Sequence, residues 1–200
     1  MTMKLWYSPA SPFVRKVLVF AHETGLADKI ALVPGNVWEP DTKITKDNPL
    51  GKVPALSTPD GVFAGSFLCC EYLDTLHPGP RLIPQDGPER WPVLQLHAFA
   101  DGMIEATVAS VTEQLRRPKE YVYQGTLDRQ NAKIMRTLDR IATMKLTQTS
   151  NIATTTLGCA LAYLDFRAPQ LAWRDGRGAL SQWYETFSAR KSMQATVPHA

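Results

Sequence analysis

Cysteine is scarce: three thiols in 200 residues, Cys69, Cys70 and Cys159, an odd number with no CxxC and no metal-ligand spacing. Cys69 and Cys70 are adjacent, so a bridge between them would be badly strained. A disulfide framework is excluded, and reduced thiols in a cytoplasmic chain are expected. Histidine is equally sparse. His22, His77, His97 and His199 form no HxxxH or HExxH pattern, so no metal is expected. A run of about eighteen apolar residues, enough to span a membrane, is missing. So is the long apolar stretch of a signal peptide, since MTMKLWYS opens directly as a strand. Charge of one sign is missing too. The 22 Lys and Arg against 19 Asp and Glu leave a scattered +3, too little for a nucleic-acid footprint. The densest basic pairs, Arg15-Lys16, Arg116-Arg117 and Arg190-Lys191, read as solvated helix surfaces or helix ends. No internal repeat or low-complexity tract occurs.

What is present describes an ordinary globular chain, 44% hydrophobic and 20% charged, long enough to bury a sizeable core unaided. Residues 3–7 read as a strand cut off by Ser8-Pro9. Ser11-Pro12 is a strong helix start, serine as N-cap and proline at the first helical position. Val14, Val17, Leu18 and Ala21 then give an apolar stripe, Arg15 and Lys16 begin the opposite face, and Gly25 ends the helix. A second strand is expected over 30–33, an irregular stretch with at most one short helix over 34–51, and a third strand over 53–56. A turn at 59–61 returns the chain as a hairpin strand at 62–64. A helix follows from Ser66 to about Leu76, with stripe Cys69, Tyr72, Leu73 and Leu76. Strand, helix, strand at the start implies a parallel pair with a right-handed crossover. The proline inside the third strand requires an edge position or an unusual peptide bond.

Beyond residue 77 the composition changes. Four prolines and two glycines between His77 and Pro88 read as a linker, and no strand follows. Helical stripes run through Leu96, Phe99, Met103 and Ile104, and through Ile134, Leu138, Ile141 and Lys145. A third, through Leu157, Ala160, Leu161 and Leu164, is apolar nearly all round. It marks a buried central helix capped by Asn151, with Thr154 at the N3 position. A last helix covers about 178–190.

Several local motifs together resemble the glutathione transferase superfamily, in its bacterial serine-type form. Tyr7–Lys16 (YSPASPFVRK) is similar to its first strand-to-helix turn. Asn48–Leu56 (NPLGKVPAL) resembles the loop and strand carrying its cis-proline, and Ser66 with Cys70–Asp74 (CEYLD) the following helix. Ala100–Ala106, Leu161–Arg167 and Ala189–Pro198 extend the likeness over nearly the whole chain. The resemblance implies an α/β plus all-α chain: a thioredoxin-like glutathione-binding domain with a mixed four-stranded sheet (1–77), a linker (78–88) and an all-helical domain (89–200).

It also implies roles. Glutathione attacks as its thiolate, and a helix N-terminus favours an anion. Ser11 would donate a hydrogen bond to that sulfur, whereas read without the resemblance it is a helix cap. Ser8 is its rival in the same turn. Serine, unlike the cysteine of some family members, cannot form a mixed disulfide, which favours conjugation or peroxidase-like chemistry. The Val53 backbone, next to a cis Pro54, would pair with the tripeptide as a strand does. Lys52 would reach the glycyl carboxylate, or else is merely solvated. Ser66 would hold the γ-glutamyl carboxylate, or is an N-cap. The residue before it is usually Asp or Glu in the family, where this chain has Gly65. Asp101, supplied by a neighbouring subunit of a homodimer, would compensate in part, or lies solvated on its helix. Cys69 and Cys70 read as packing residues. Tyr163, Phe166 and Trp173 line either a pocket for a small hydrophobic electrophile or the core. The expected activity is glutathione conjugation. The alternatives are a weakly catalytic binding or stress protein, and a glutathione-dependent peroxidase or reductase.

Overall fold

Alternating burial along Met3–Tyr7 makes β1, with Met3 and Leu5 facing inward. A computed structural model describes residues 2–199. The chain divides into two compact units, Met1–Gln85 with Lys191–Ala200, and Asp86–Arg190.

In the first unit β1 is followed by helix α1 (Pro12–Glu23), β2 (Ile30–Pro34), β3 (Ala55–Thr58), β4 (Gly61–Ala64) and helix α2 (Ser66–Asp74). The sheet order is β2-β1-β3-β4. β1 runs parallel to β2, and β3 is antiparallel to both β1 and β4. This mixed four-stranded sheet with its crossover helix is the thioredoxin-like arrangement. Strand β3 begins at Ala55, two residues later than expected, because Val53 and Pro54 precede the ladder and proline has no N–H to give it. Helix α2 stops at Asp74, leaving Leu76 outside it and exposed, while Cys69, Cys70 and Leu73 are fully buried.

Helix α1 departs most from expectation. Val14, Val17 and Ala21 are buried, but so are Arg15 (6% exposed) and Lys16 (0%). The Lys16 ammonium lies 5.8 Å from the centroid of the Phe13 ring. The two residues therefore do not form a solvated face. Only two charges interrupt the stretch from Pro12 to Ala21, and such a helix is built to be covered on most sides.

Residues 78–85, read from composition as linker, are held to this unit. The fully buried Asp74 carboxylate accepts from the Leu82 and Ile83 amides at 2.9 and 3.1 Å and meets His77 Nε2 at 3.0 Å. Ile83 is itself fully buried.

The second unit is helical: α3 (Arg90–Arg116), α4 (Gln124–Ala142), α5 (Ile152–Arg167) and α6 (Gly178–Ser188). Every residue of α5 from Ile152 to Leu164 is buried, as its all-round apolar pattern requires. Asn151 accepts from the Ala153 and Thr154 amides while the Thr154 hydroxyl accepts from the Asn151 amide, closing a capping box. Helix α4 ends at Ala142, so Lys145 falls outside the stripe that Ile134, Leu138 and Ile141 bury. Helix α6 ends two residues short of 190, and a one-turn helix α7 (Lys191–Gln194) belongs to the first unit. Among the described residues no helix is long and apolar enough to cross a membrane.

Candidate functional site

Strand register gathers the motif residues of the first unit. Trp6 pairs with Ala55, and Ala55 in turn with Ala64. The end of β1, the start of β3 and the end of β4 therefore lie side by side at one edge of the sheet. The turn leading to Ser11, the pair Val53-Pro54 and the step Gly65-Ser66 all emerge there. Lys52 arrives with the second of these. β2, parallel to β1, ends there as well, and the Gly35 amide donates to the Tyr7 carbonyl at 3.0 Å.

Ser11 is half-buried and in extended conformation at the N-cap of α1, with Pro12 beginning the helix. Its amide donates to the Ser8 carbonyl at 3.0 Å, and its Oγ accepts from the Val14 amide at 3.3 Å. Capping and catalysis are thus compatible. The cap uses a lone pair of the hydroxyl, while the hydroxyl proton stays available to an anion in front of the helix. Ser8 sits three residues earlier and holds the turn through its carbonyl.

The Val53-Pro54 peptide bond is cis. Among the described residues neither the amide nor the carbonyl of Val53 is hydrogen-bonded to the chain, so both groups are open to an extended ligand. The Pro54 carbonyl accepts from the Gly65 amide, tying the β3 entrance to the α2 entrance. Lys52 is exposed. Its carbonyl accepts from Asn48 Nδ2 at 2.7 Å, while Asn48 Oδ1 accepts from the Leu50 amide at 3.1 Å. Asn48 is buried and so shapes the loop that delivers Lys52 and Val53. In the sequence Asn48 shows only as the first residue of the Asn48–Leu56 motif, and its side-chain hydrogen bonds to the loop are visible only in the fold.

Ser66 is not the cap of α2. Gly65 takes that place, with φ +93° and ψ +133°, and Ser66 is the first helical residue, 6% exposed. Its hydroxyl is therefore not committed to closing the helix, and its own amide has no acceptor inside the helix. Gly65 can hold this backbone because it lacks a Cβ.

Asp101 lies half-buried on α3, in the other unit. Tyr163 and Trp173 are buried, and Trp173 Nε1 donates to Asp165 at 2.7 Å, so both belong to the helical core. Phe166 is half-buried with the Arg167 guanidinium 4.1 Å from its ring centroid. The Cys69 thiol donates to the Phe63 carbonyl at 3.3 Å, and burial pushes its pKa up to about 12. Such a thiol stays protonated and serves packing. Cys70 and Cys159 are buried thiols as well, in no disulfide among the described residues.

Comparison with known proteins agrees with this fold. The family model for the glutathione S-transferase N-terminal domain matches residues 10–76. The chain is 36% identical over 204 residues to the uncharacterized GST-like protein YibF of Escherichia coli (strain K12), with 98% of each chain covered. A glutathione transferase family member from Pseudomonas fluorescens Pf-5, solved with bound glutathione, is 41% identical with a TM-score of 0.95 over the whole of both chains. A glutathione S-transferase from Methylobacillus flagellatus KT, also with glutathione bound, is 34% identical with a TM-score of 0.90, covering 99% of this chain and all of the other.

Proposed function

This chain belongs to the glutathione S-transferase family, and we propose that it transfers the glutathione thiolate to a small hydrophobic electrophile. The observation that carries this reading is the Ser11 hydroxyl at the N-terminus of α1, its lone pair on the Val14 amide and its proton free to donate. The tripeptide lies extended along the sheet end. Its cysteinyl backbone pairs with Val53, its γ-glutamyl carboxylate meets Ser66 at the start of α2, and its glycyl carboxylate comes within reach of Lys52. The thiol proton leaves to solvent. The thiolate then attacks the electrophilic carbon, and the leaving group, a halide in the case of an aryl halide, departs with its bonding electrons. Ser11 acts as neither nucleophile nor base: it holds the sulfur charge. One donor to a charged group contributes about 1.5–3 kcal/mol, or about one to two units of thiol pKa.

Ser11→Ala should therefore lose about ten- to hundredfold in conjugation at neutral pH while glutathione affinity changes little. Equal rates for variant and wild type would remove the assignment. Running the same pair on an organic peroxide separates conjugation from a glutathione peroxidase or reductase. In this reading the protein is a cytoplasmic homodimer, and the partner subunit's Asp101 approaches the ligand ammonium. Elution as a monomer at micromolar concentration would count against that assembly.

Gly65 favours a second reading, a weakly catalytic binding protein of the same fold, because it removes the carboxylate that the resemblance places against the ligand ammonium. Calorimetry decides between the two. No heat of binding at millimolar glutathione would leave only the second.

A further inference from the structure

Arg15 is a charged residue in the interior of the first unit, and its partners come from the far end of the sequence. Its Nη2 donates to the Met193 carbonyl at 3.0 Å and its Nε to Thr196 Oγ1 at 3.4 Å, while Nη1 is buried without a hydrogen-bond partner among the described residues. Burying a guanidinium with one arm unsatisfied is costly, and an apolar side chain of similar volume usually serves stability as well or better. What the apolar side chain lacks is direction. The Met193 carbonyl lies in α7, where last-turn carbonyls have no intrahelical donor and a cation is favoured. A guanidinium can hold that carbonyl and the Thr196 hydroxyl together in one plane. A second tie lies eight residues along α1, about 12 Å away, where Ser192 Oγ donates to Glu23 Oε1. Within the segment the Thr196 hydroxyl donates to the Ser192 carbonyl at 2.8 Å and the Ala195 amide to the Lys191 carbonyl at 2.9 Å, so it is braced internally. Residues 191–196 thus lie along α1 as a splint.

The splint ends one turn from Ser11. The Arg15 amide donates to the Ser11 carbonyl at 3.0 Å, closing the first turn of the helix whose cap is Ser11. One residue therefore joins the capping turn, through its backbone, to segment 191–196, through its side chain. We infer that Arg15 is a positioning residue: by clamping segment 191–196 onto α1 it fixes the direction in which the Ser11 hydroxyl is presented to the sulfur. The inference rests on the proposed thiolate-stabilising role of Ser11. Ser11 makes the contact, and Arg15 decides how well it is aimed.

The test is the pH profile of kcat/KM with glutathione and an aryl halide for wild type, Ser11→Ala, Arg15→Lys, Thr196→Val and a chain lacking residues 191–200. Affinity for S-methylglutathione, which has no thiol to ionise, is measured alongside. Arg15→Lys keeps the charge and loses the fork. It should move the thiolate limb of the profile up by about half a pH unit, about a threefold loss of rate below that limb, with affinity for S-methylglutathione unchanged. The truncated chain should shift as far, and Thr196→Val in the same direction by less. Should Arg15→Lys and the truncated chain fail to fold, Thr196→Val decides, because it alters only a half-buried residue and leaves Arg15 in place. Folded variants whose profiles superimpose on wild type, or that lose only affinity, would overturn the positioning role. Absence of any Ser11-dependent limb in the wild-type profile would instead refute the proposed function, and the inference would go with it.

Discussion

Replacing Gly65 by glutamate sets two opposing energies against each other at one backbone position. The residue has φ +93° and ψ +133°, a conformation that costs an L residue about 1–3 kcal/mol. A Cβ placed there meets no atom within 4 Å, so the cost is torsional and not steric. In a chain of this size each kcal/mol corresponds to about 2–4 °C in Tm. Gly65→Ala and Gly65→Glu should therefore both melt lower, by similar amounts. On the binding side only glutamate restores the carboxylate that the family resemblance places against the ligand ammonium. A charge-assisted hydrogen bond contributes about 1.5–3 kcal/mol, which is about ten- to hundredfold in Kd. Thermal unfolding and calorimetry with glutathione on the three proteins give a double readout. Alanine should lower Tm and leave affinity alone. Glutamate should lower Tm as much and tighten binding. If alanine keeps the wild-type Tm, the strain argument is wrong. If glutamate binds no better than alanine, the γ-glutamyl end does not lie at the start of α2.

Three further outcomes are expected. The Cys69 thiol has its pKa raised by burial from 9.0 to about 12, so its contribution to stability is complete below pH 9 and lost as pH rises towards 12, by about 1.4 kcal/mol per unit. Cys69→Ser lacks this titration, and denaturant midpoints from pH 8 to 11 should converge with those of wild type as the pH climbs; parallel curves would refute the argument. Asp74→Ala strips the buried acceptor from the half-buried Leu82 amide and the buried Ile83 amide and should cost about 3–5 kcal/mol by chemical denaturation. Asn151→Ala, which frees two amides of α5, should cost about 1–2 kcal/mol, with Asn151→Ser recovering most of it.

Local signals were legible wherever the chemistry is local. Ser11-Pro12 declared a helix start and is one. Asn151 with Thr154 declared a cap and forms it, and the all-round apolar stretch after it is the buried helix α5. Boundaries failed where one residue had two plausible places. Ser66 looks like an N-cap by type, but Gly65 holds a positive φ and takes the cap, moving Ser66 inside the helix. Pro54 sits within an apolar run that reads as strand, although a residue without an N–H cannot serve the ladder there, and β3 begins at Ala55.

Charge misled in α1 for a different reason. A helical stripe distinguishes one face from another, but it cannot say how many faces are covered. Arg15 and Lys16 follow a stripe and read as the start of solvent, yet the helix has neighbours on more than one side, among them α2 and α7. One of those neighbours arrives from residue 191 onward, some 180 positions away, and nothing local in α1 announces it. The site divides along the same line. Each of Ser11, Val53-Pro54 and Ser66 carries a recognisable local pattern, and a short hairpin turn is enough to bring the last two together. Ser11 joins them only because β1 pairs with β3 in the register that sets Trp6 against Ala55. A shift of one residue would turn the side chains of β1 to the opposite face of the sheet. Register is therefore the step between knowing which residues carry these local patterns and knowing that they emerge together at one end of the sheet, and it is set by burial of Leu5 and Leu56, two residues with no chemistry of their own.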